Sequence, residues 1–223
     1  MMCLRRHDLV WLSAQGWRNH VLRDVADSEA ADCLRHWFAQ RLPLVVGRQT
    51  PGESQLALGL AAPAVWDRRK IALKVPRDCV LYHDRSPKAA EIRSLLSPGL
   101  RKRWLSLCGD LGDLASNPRV HGSYGWQQIT GLEYIAARSD IDLQLSVGDA
   151  DTADRVTSLL ERFTWKGPRI DGELLFPTGA AVAWREWLQW RRGAVDRVMV
   201  KRLYGVALVK GLEWLQDQPA VAT

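Results

Sequence analysis

The order of apolar runs along the chain predicts an α+β protein of two units, a small mixed unit over residues 1–84 and a second over residues 85–223. Three observations carry this. Short β-type runs broken by proline and glycine cluster between residues 44 and 82. Two helical patterns follow, each with a proline near its start. Beyond residue 119 the order becomes strand, turn, strand, helix, strand.

In order, SEAADCLRHWFAQ (28–40) has helical spacing, with Asp27 or Ser28 as N-cap. PLVVGR, QLALGLA and RKIALKV read as strands separated by Pro51-Gly52 and by Pro63, which gives a small sheet over residues 44–82. In HDRSPKAAEIRSLLSPGLRKRWLSLCGDLGD, Pro87 and Pro98 mark two helix starts, since proline's fixed φ suits a first helical position. RVHGSYGW leads from a short strand into a turn. IDLQLSV then reads as a strand and DTADRVTSLLERF as a helix capped by Asp151, whose carboxylate can accept a free backbone N–H. RIDGELLF is a further strand. Trp184, Trp187 and Trp190 form a stripe at helical spacing, read as core packing rather than as a base-stacking surface. The terminal QPAVAT is expected to fray.

Composition bounds the function. With 47% apolar and 25% charged residues, the chain has the make-up of a soluble globular protein. No apolar run approaches the roughly 18 residues of a membrane span, and the opening MMCLRRHDLVWL is too short in its apolar part for a signal peptide. Cys3, Cys33, Cys79 and Cys108 are scattered, so reduced thiols in the cytoplasm are expected. The net charge of +6 favours anionic partners, or simply solubilises the surface. Its clusters, Arg68-Arg69-Lys70, Arg101-Lys102-Arg103 and Arg191-Arg192, lie in structured segments, unlike a disordered basic tail. The chain has no G-x-x-x-x-G-K-[ST] loop, no G-x-S-x-G elbow and no Cys/His pairing.

One constellation carries chemistry. In a strand, Asp140 and Asp142 share a face while Ile141, Leu143 and Leu145 point the other way, into the core. Carboxylates this close raise each other's pKa unless a positive charge lies between them. Magnesium supplies one, since it takes one or two carboxylates plus substrate phosphates. Gly122 lets the backbone approach a ligand, and Ser123 offers a hydroxyl and an N–H to a phosphate, aided by a helix starting nearby. With 25 acidic residues about three acid-x-acid triplets arise by chance, so the weight rests on the order of Gly-Ser, spacer and D-x-D in an apolar strand. Arg138 could instead pair with Asp140. Asp171 and Glu173 are candidates for a third carboxylate and Asp171 is preferred, unless Gly172 marks a turn that leaves both exposed. His121 beside the turn could contact a phosphate but reads as structural, and Lys201, Arg202 and Lys210 could approach a triphosphate but read as solvated surface.

Gly122-Ser123 followed by Asp140-Ile141-Asp142 resembles the signature of the nucleotidyltransferase superfamily, whose fold is a mixed sheet with flanking helices. HDLVWL, RKIALKVPRD, VHGSYGWQQITGLEY, RSDIDL and DGELLFPTGAAVAWREW together resemble the malonate decarboxylase holo-[acyl-carrier-protein] synthases, or phosphoribosyl-dephospho-CoA transferases, over residues 7–215. That resemblance implies a nucleotidyltransferase-like unit over residues 85–223. It implies transfer of a phosphoribosyl-dephospho-CoA group from triphosphoribosyl-dephospho-CoA to a serine of the malonate decarboxylase acyl carrier protein, with release of pyrophosphate. Asp140 and Asp142 would then be catalytic and, with Asp171, hold Mg²⁺, and Gly122 and Ser123 would bind the substrate phosphates. An acidic carrier would suit the basic surface, with Arg68-Arg69-Lys70 as a docking face. Two other readings compete: a nucleotidyltransferase using ATP or CTP on a small molecule, and a basic nucleic-acid-binding module. The aspartate pair opposes the last, because acids repel a phosphate backbone.

Overall fold

In the computed structural model, which describes residues 4–23, 28–114 and 116–216, the first sheet begins with a strand that the sequence pattern does not reveal. Strand β1, Leu9–Leu12, is the run LVWL, whose unbroken apolarity shows no alternation. Ser13 then caps the single turn α1 (Ala14–Gly16), its hydroxyl accepting from the Gly16 N–H at 3.0 Å. A wider helical turn over Trp17–Val21 buries Trp17 and Val21. Helix α2, Ser28–Ala39, follows as expected. Its buried face carries Cys33, Leu34 and Trp37, and the Trp37 indole donates to the Pro43 carbonyl at 3.0 Å. Asp27, one of the two expected caps, lies outside the described residues, as does the QPAVAT end.

The three expected strands are β2 (Leu44–Val46), β3 (Gln55–Ala61) and β4 (Lys70–Pro76). In β3, Leu56, Leu58 and Leu60 are buried while the residues between them are not, the alternation a half-covered strand demands. A fifth strand, β5 (Val80–Asp84), completes an antiparallel sheet in the order β4-β3-β2-β1-β5. The sheet therefore runs from residue 9 to residue 84 rather than from 44 to 82. Strand β5 is an exposed edge, which is why its sequence carries no burial pattern, and Tyr82 stacks at 4.6 Å on its register partner Trp11.

Pro87 precedes a 3₁₀ segment, Ala89–Leu95, rather than an α-helix, whereas Pro98 opens helix α3, Pro98–Leu114. The second sheet then forms from β6 (Ser116–His121), helix α4 (Gly122–Thr130), β7 (Ile141–Ser146), helix α5 (Ala150–Arg162), β8 (Ile170–Leu175), β9 (Ala181–Ala183), helix α6 (Trp184–Arg191), β10 (Val198–Lys201) and β11 (Val206–Val209). The strand order is β11-β10-β9-β8-β7-β6. Only β7 and β8 are parallel, and α5 makes the crossover that a parallel pair requires. Asp149, not Asp151, caps α5, its carboxylate accepting from the Thr152 N–H at 2.7 Å. The helix begins one residue earlier than expected, and Asp151 lies inside its first turn.

Burial assigns the two faces of this sheet. Ile141, Leu143 and Leu145 have no exposed surface and pack with Trp104 and Leu111 of α3, Val156 of α5 and Trp187 of α6. Trp184 and Trp187 are core residues and Trp190 packs at the core's edge, so the stripe is structural, as read. Helices α3, α5 and α6 thus occupy one face, and alternation sends Asp142 and Gln144 to the other. The two sheets meet where Trp126 and Tyr134 join the core of the first unit and the Tyr134 hydroxyl donates to the Ala61 carbonyl at 2.6 Å. Among the described residues no helix is long and apolar enough to cross a membrane.

Candidate active site

Strand β7 lies between β6 and β8 in the second sheet, which fixes what surrounds its aspartate. Register places His121 of β6 opposite Asp142 on one side and Asp171 of the parallel β8 beside it on the other, with Glu173 next to Gln144. Asp140 precedes the strand by one residue.

The β6–α4 junction is built around that carboxylate. No separate turn intervenes between strand and helix: Gly122, at φ +63°, makes the change of direction and is the first residue of α4. A Cβ at Gly122 would lie 2.1 Å from Asp142 Oδ2, so only glycine permits this approach. No side chain caps α4. Its leading N–H groups, with Gly122 and Ser123 first, are therefore left without a side-chain cap where Gly122 approaches the aspartate, which suits an anion. Strand β8 has a similar device. Gly172 sits within the strand at φ +139°, where a Cβ would fall 2.0 Å from the Leu143 carbonyl oxygen. Gly172 is thus a close-approach residue rather than a turn.

The four carboxylates of this face are not equivalent. Arg169 bridges two of them, with Nη2 3.0 Å from Asp171 Oδ2 and Nε 3.9 Å from Asp140 Oδ2. The other Asp171 oxygen accepts from the Gly172 N–H at 2.9 Å. Arg169, not Arg138, is therefore the cation beside Asp140. Glu173 is buried and held by three groups. Lys201 Nζ lies 2.7 Å from Oε1, and Arg6 Nη1 and His7 Nε2 lie 3.6 and 3.7 Å from Oε2. Burial alone would raise its pKa, but His7, Lys201 and Arg6 outweigh it and hold the carboxyl well below the usual range.

Asp142 is the exception. Among the described residues it has no hydrogen-bond donor and no ion-pair partner, and burial, Asp171 and Asp140 together push its carboxyl up to about 6. Its neighbours explain the missing counter-charge, since Arg169, Lys201 and Arg6 are each committed to another carboxylate. An added divalent cation would meet an electrostatic need here that no side chain meets. Among the described residues no three His, Cys, Asp or Glu side chains converge as a preformed metal cage. The residues thus fit a cation that takes part of its oxygens from a phosphate substrate and water, as magnesium does.

Several groups at this site escaped the sequence reading. Lys201 was expected in solvent and instead forms the short pair with Glu173. His7 of the first unit stacks on His121 at 4.5 Å with ring planes 7° apart. Burial chiefly, with the nearby His7, Arg6 and Lys201 charges, pushes His121 down to about 3, so its imidazole is neutral. No spacing in the sequence links residues 6, 7, 121, 173 and 201, and only the fold brings them together. Lys210, by contrast, is at the surface, 3.5 Å from Asp196.

Known proteins resemble the chain over most of its length. The family model for the phosphoribosyl-dephospho-CoA transferase MdcG C-terminal domain matches residues 88–211, and that for the MdcG N-terminal domain matches residues 5–85. A phosphoribosyl-dephospho-CoA transferase of Bradyrhizobium diazoefficiens is 34% identical over 211 residues, covering 92% of this chain and 89% of the relative. One of Xanthomonas campestris pv. campestris is 34% identical over 214 residues, covering 92% and 93%. One of Pseudomonas putida is 30% identical over 213 residues, covering 91% and 92%. No solved structure matches the chain.

Proposed function

Because the chain belongs to the phosphoribosyl-dephospho-CoA transferase family, we propose that it transfers the 2'-(5''-phosphoribosyl)-3'-dephospho-CoA group from triphosphoribosyl-dephospho-CoA to a serine of the malonate decarboxylase acyl carrier protein. The observation that carries this reading is Asp142, a half-buried carboxylate without a partner among the described residues, beside a glycine-opened helix start.

The chemistry is a displacement at phosphorus. The serine Oγ forms a bond to the α-phosphorus as the bond to the α,β-bridging oxygen breaks, and pyrophosphate leaves with that electron pair. The serine proton passes to a carboxylate of the Asp142–Asp171 pair, adjacent in register on β7 and β8. Gly122 and Ser123 present the first N–H groups of α4 to the phosphate oxygens, which orients the phosphorus toward the carboxylates. Magnesium, held by Asp140 and Asp142 with Asp171 as the third carboxylate, would supply charge neutralisation at the α-phosphate. Arg169 keeps Asp140 and Asp171 turned toward the same point when no cation is bound.

We read the division of labour as following the two sheets, the first, with strands from Leu9 to Asp84, bordering the site and the second, with strands from Ser116 to Val209, carrying the reacting groups. Arg68 and Lys70 are exposed on the first sheet and suit an acidic carrier. Cys33, Cys79 and Cys108 are free and buried, in keeping with a cytoplasmic protein.

The test is direct. The protein, Mg²⁺, triphosphoribosyl-dephospho-CoA and the apo-carrier should give one mass addition on the carrier serine and one equivalent of pyrophosphate. Asp140→Ala and Asp142→Ala should each abolish it. Unchanged transfer by either variant, or labelling by ATP in place of the precursor, overturns the proposal.

A further inference from the structure

The turn formed by residues 5–8 is unusually fixed for a segment so near the start of the described chain. The Asp8 carboxylate is buried and accepts from the Arg5 N–H at 2.8 Å. The His7 N–H donates to the Val46 carbonyl at 3.2 Å, and the Ser86 hydroxyl donates to the His7 carbonyl at 3.3 Å. His7 is held in the left-handed region, at φ +68°, a conformation that non-glycine residues adopt only when their surroundings impose it. Its ring lies against His121, the residue immediately before the Gly122 turn. The first sheet therefore delivers Arg6 and His7 to the edge of a site whose other residues belong to the second sheet.

Glu173 organises what they meet there. It gathers Lys201 on one oxygen and Arg6 and His7 on the other, on the same β8 face as Asp171. The cations are not saturated by it. Arg6 Nη1 is buried and makes no hydrogen bond, Glu173 Oε2 and His121 Nε2 likewise lack one, and Lys201 keeps about a quarter of its side chain exposed (28%). A guanidinium with an unused donor and a lysine, gathered on Glu173 one same-face position along the sheet from the Asp142–Asp171 pair, leave cationic donors to spare near the helix start.

We propose that Arg6, from the first unit, and Lys201, from β10, bind the terminal phosphates of the triphosphate substrate, with Glu173 and the His7–His121 stack as the groups that position them. The inference rests on the transferase reading for its substrate, but its ligand chemistry, a linear polyphosphate, can be probed alone. Asp142 and the helix start address the phosphorus under attack, whereas Arg6 and Lys201 receive the two phosphates that depart. The first unit would then be part of the catalytic centre, and its role in carrier docking a separate matter.

Calorimetric titration of the full chain with inorganic tripolyphosphate and Mg²⁺ tests this without any carrier. Arg6→Met and Lys201→Met should each weaken tripolyphosphate binding about tenfold or more, the worth of one charge-assisted hydrogen bond. Arg6→Lys, which keeps the charge, should recover part of the loss. In the transfer assay the same variants should raise KM for triphosphoribosyl-dephospho-CoA and weaken inhibition by pyrophosphate by the same factor. A role confined to holding Glu173 predicts instead a lower melting temperature with wild-type tripolyphosphate affinity, and that result overturns the proposal. Should Arg6→Met fail to fold, the partly exposed Lys201 tests the same cationic pair independently. Tripolyphosphate binding that depends on Arg6 and Lys201, in a protein that labels no carrier, would sink the transferase reading and leave this inference standing.

Discussion

Asp142→Asn should make the protein more stable while removing its activity. Asparagine keeps the shape of the side chain and discards the charge. In the folded protein the Asp142 carboxyl is raised from 3.8 to about 6, by burial first and by Asp171 and Asp140 next. Between those two values the unfolded chain has released its proton and the folded protein still holds it. Stability therefore falls as pH rises through that window, and above about pH 6 the whole penalty is in place. A shift of this size corresponds to about 3 kcal/mol, and partial solvation of the side chain brings it to about 2. Without divalent cations near pH 8, the variant should melt roughly 4–8 °C above the parent, given how melting temperature scales with size. The gain should shrink toward pH 4, where the parent carboxyl is protonated in the folded state. Transfer should fall about 100-fold or more, as when a preorganised charge-stabilising group is lost. Thermal melts in chelator across that pH range, beside the transfer assay, make the comparison. A variant that melts at or below the parent near pH 8 would show that Asp142 has a stabilising partner, and the reading of the site as short of one cation would fail.

Magnesium should raise the melting temperature of the parent with a saturating dependence, because a ligand that binds only the folded state stabilises it by mass action. The same addition should leave Asp142→Asn unmoved, and equal shifts in both would place the ion elsewhere. Gly122→Ala combines a strained φ with a Cβ driven into Asp142, whereas Gly131→Ala, at φ +70° with nothing within 4 Å, has the strain alone. Both should lose about 1–2 kcal/mol of stability, but only Gly122→Ala should lose about 100-fold in transfer rate, through displacement of the carboxylate. Equal rates would mean that the close approach is incidental. Glu173→Gln should cost about 3 kcal/mol, seen as a lower urea midpoint, because it strands Arg6 and Lys201 without their shared anion.

What the sequence made legible is what local pattern controls. IDLQLSV alternates cleanly, so β7 and the facing of Asp142 could be read directly, and the structure repeats both. The Trp184–Trp187 stripe and the helix of residues 28–39 followed from helical periodicity in the same way. Strands β1 and β5 were hidden for opposite reasons. LVWL is apolar on both faces because it lies inside the sheet, and VLYHD is exposed along most of its length because it forms the edge. Asp149 displaced Asp151 as the cap because two acids at neighbouring positions fit the same pattern and only backbone geometry separates them. The Glu173 cluster was beyond local pattern altogether. Its members come from residues 6–7, 173 and 201, and their approach depends on which strands are neighbours.

The parallel pairing of β7 with β8 is the step that turns a sequence of acids into a site. With Asp142 still beside Asp171, antiparallel pairing would have set Asp140 rather than Gln144 against Glu173. Parallel, in register, they stand as Asp142 beside Asp171 and Gln144 beside Glu173. That arrangement concentrates negative charge, and the fold answers it unevenly. Arg169 at the entrance of β8 serves Asp140 and Asp171, and the distant Arg6 and Lys201 serve Glu173. Asp142 lies between these two systems and is paired with neither, with Gly122 pared back so that no Cβ fills the space beside it. A sheet selected for stability alone would place an arginine or an apolar residue there. Leaving a half-buried charge unanswered is tolerable only where a ligand brings the answer, and the spare donors of Arg6 and Lys201 around the nearby Glu173 suit a ligand that carries negative charge of its own.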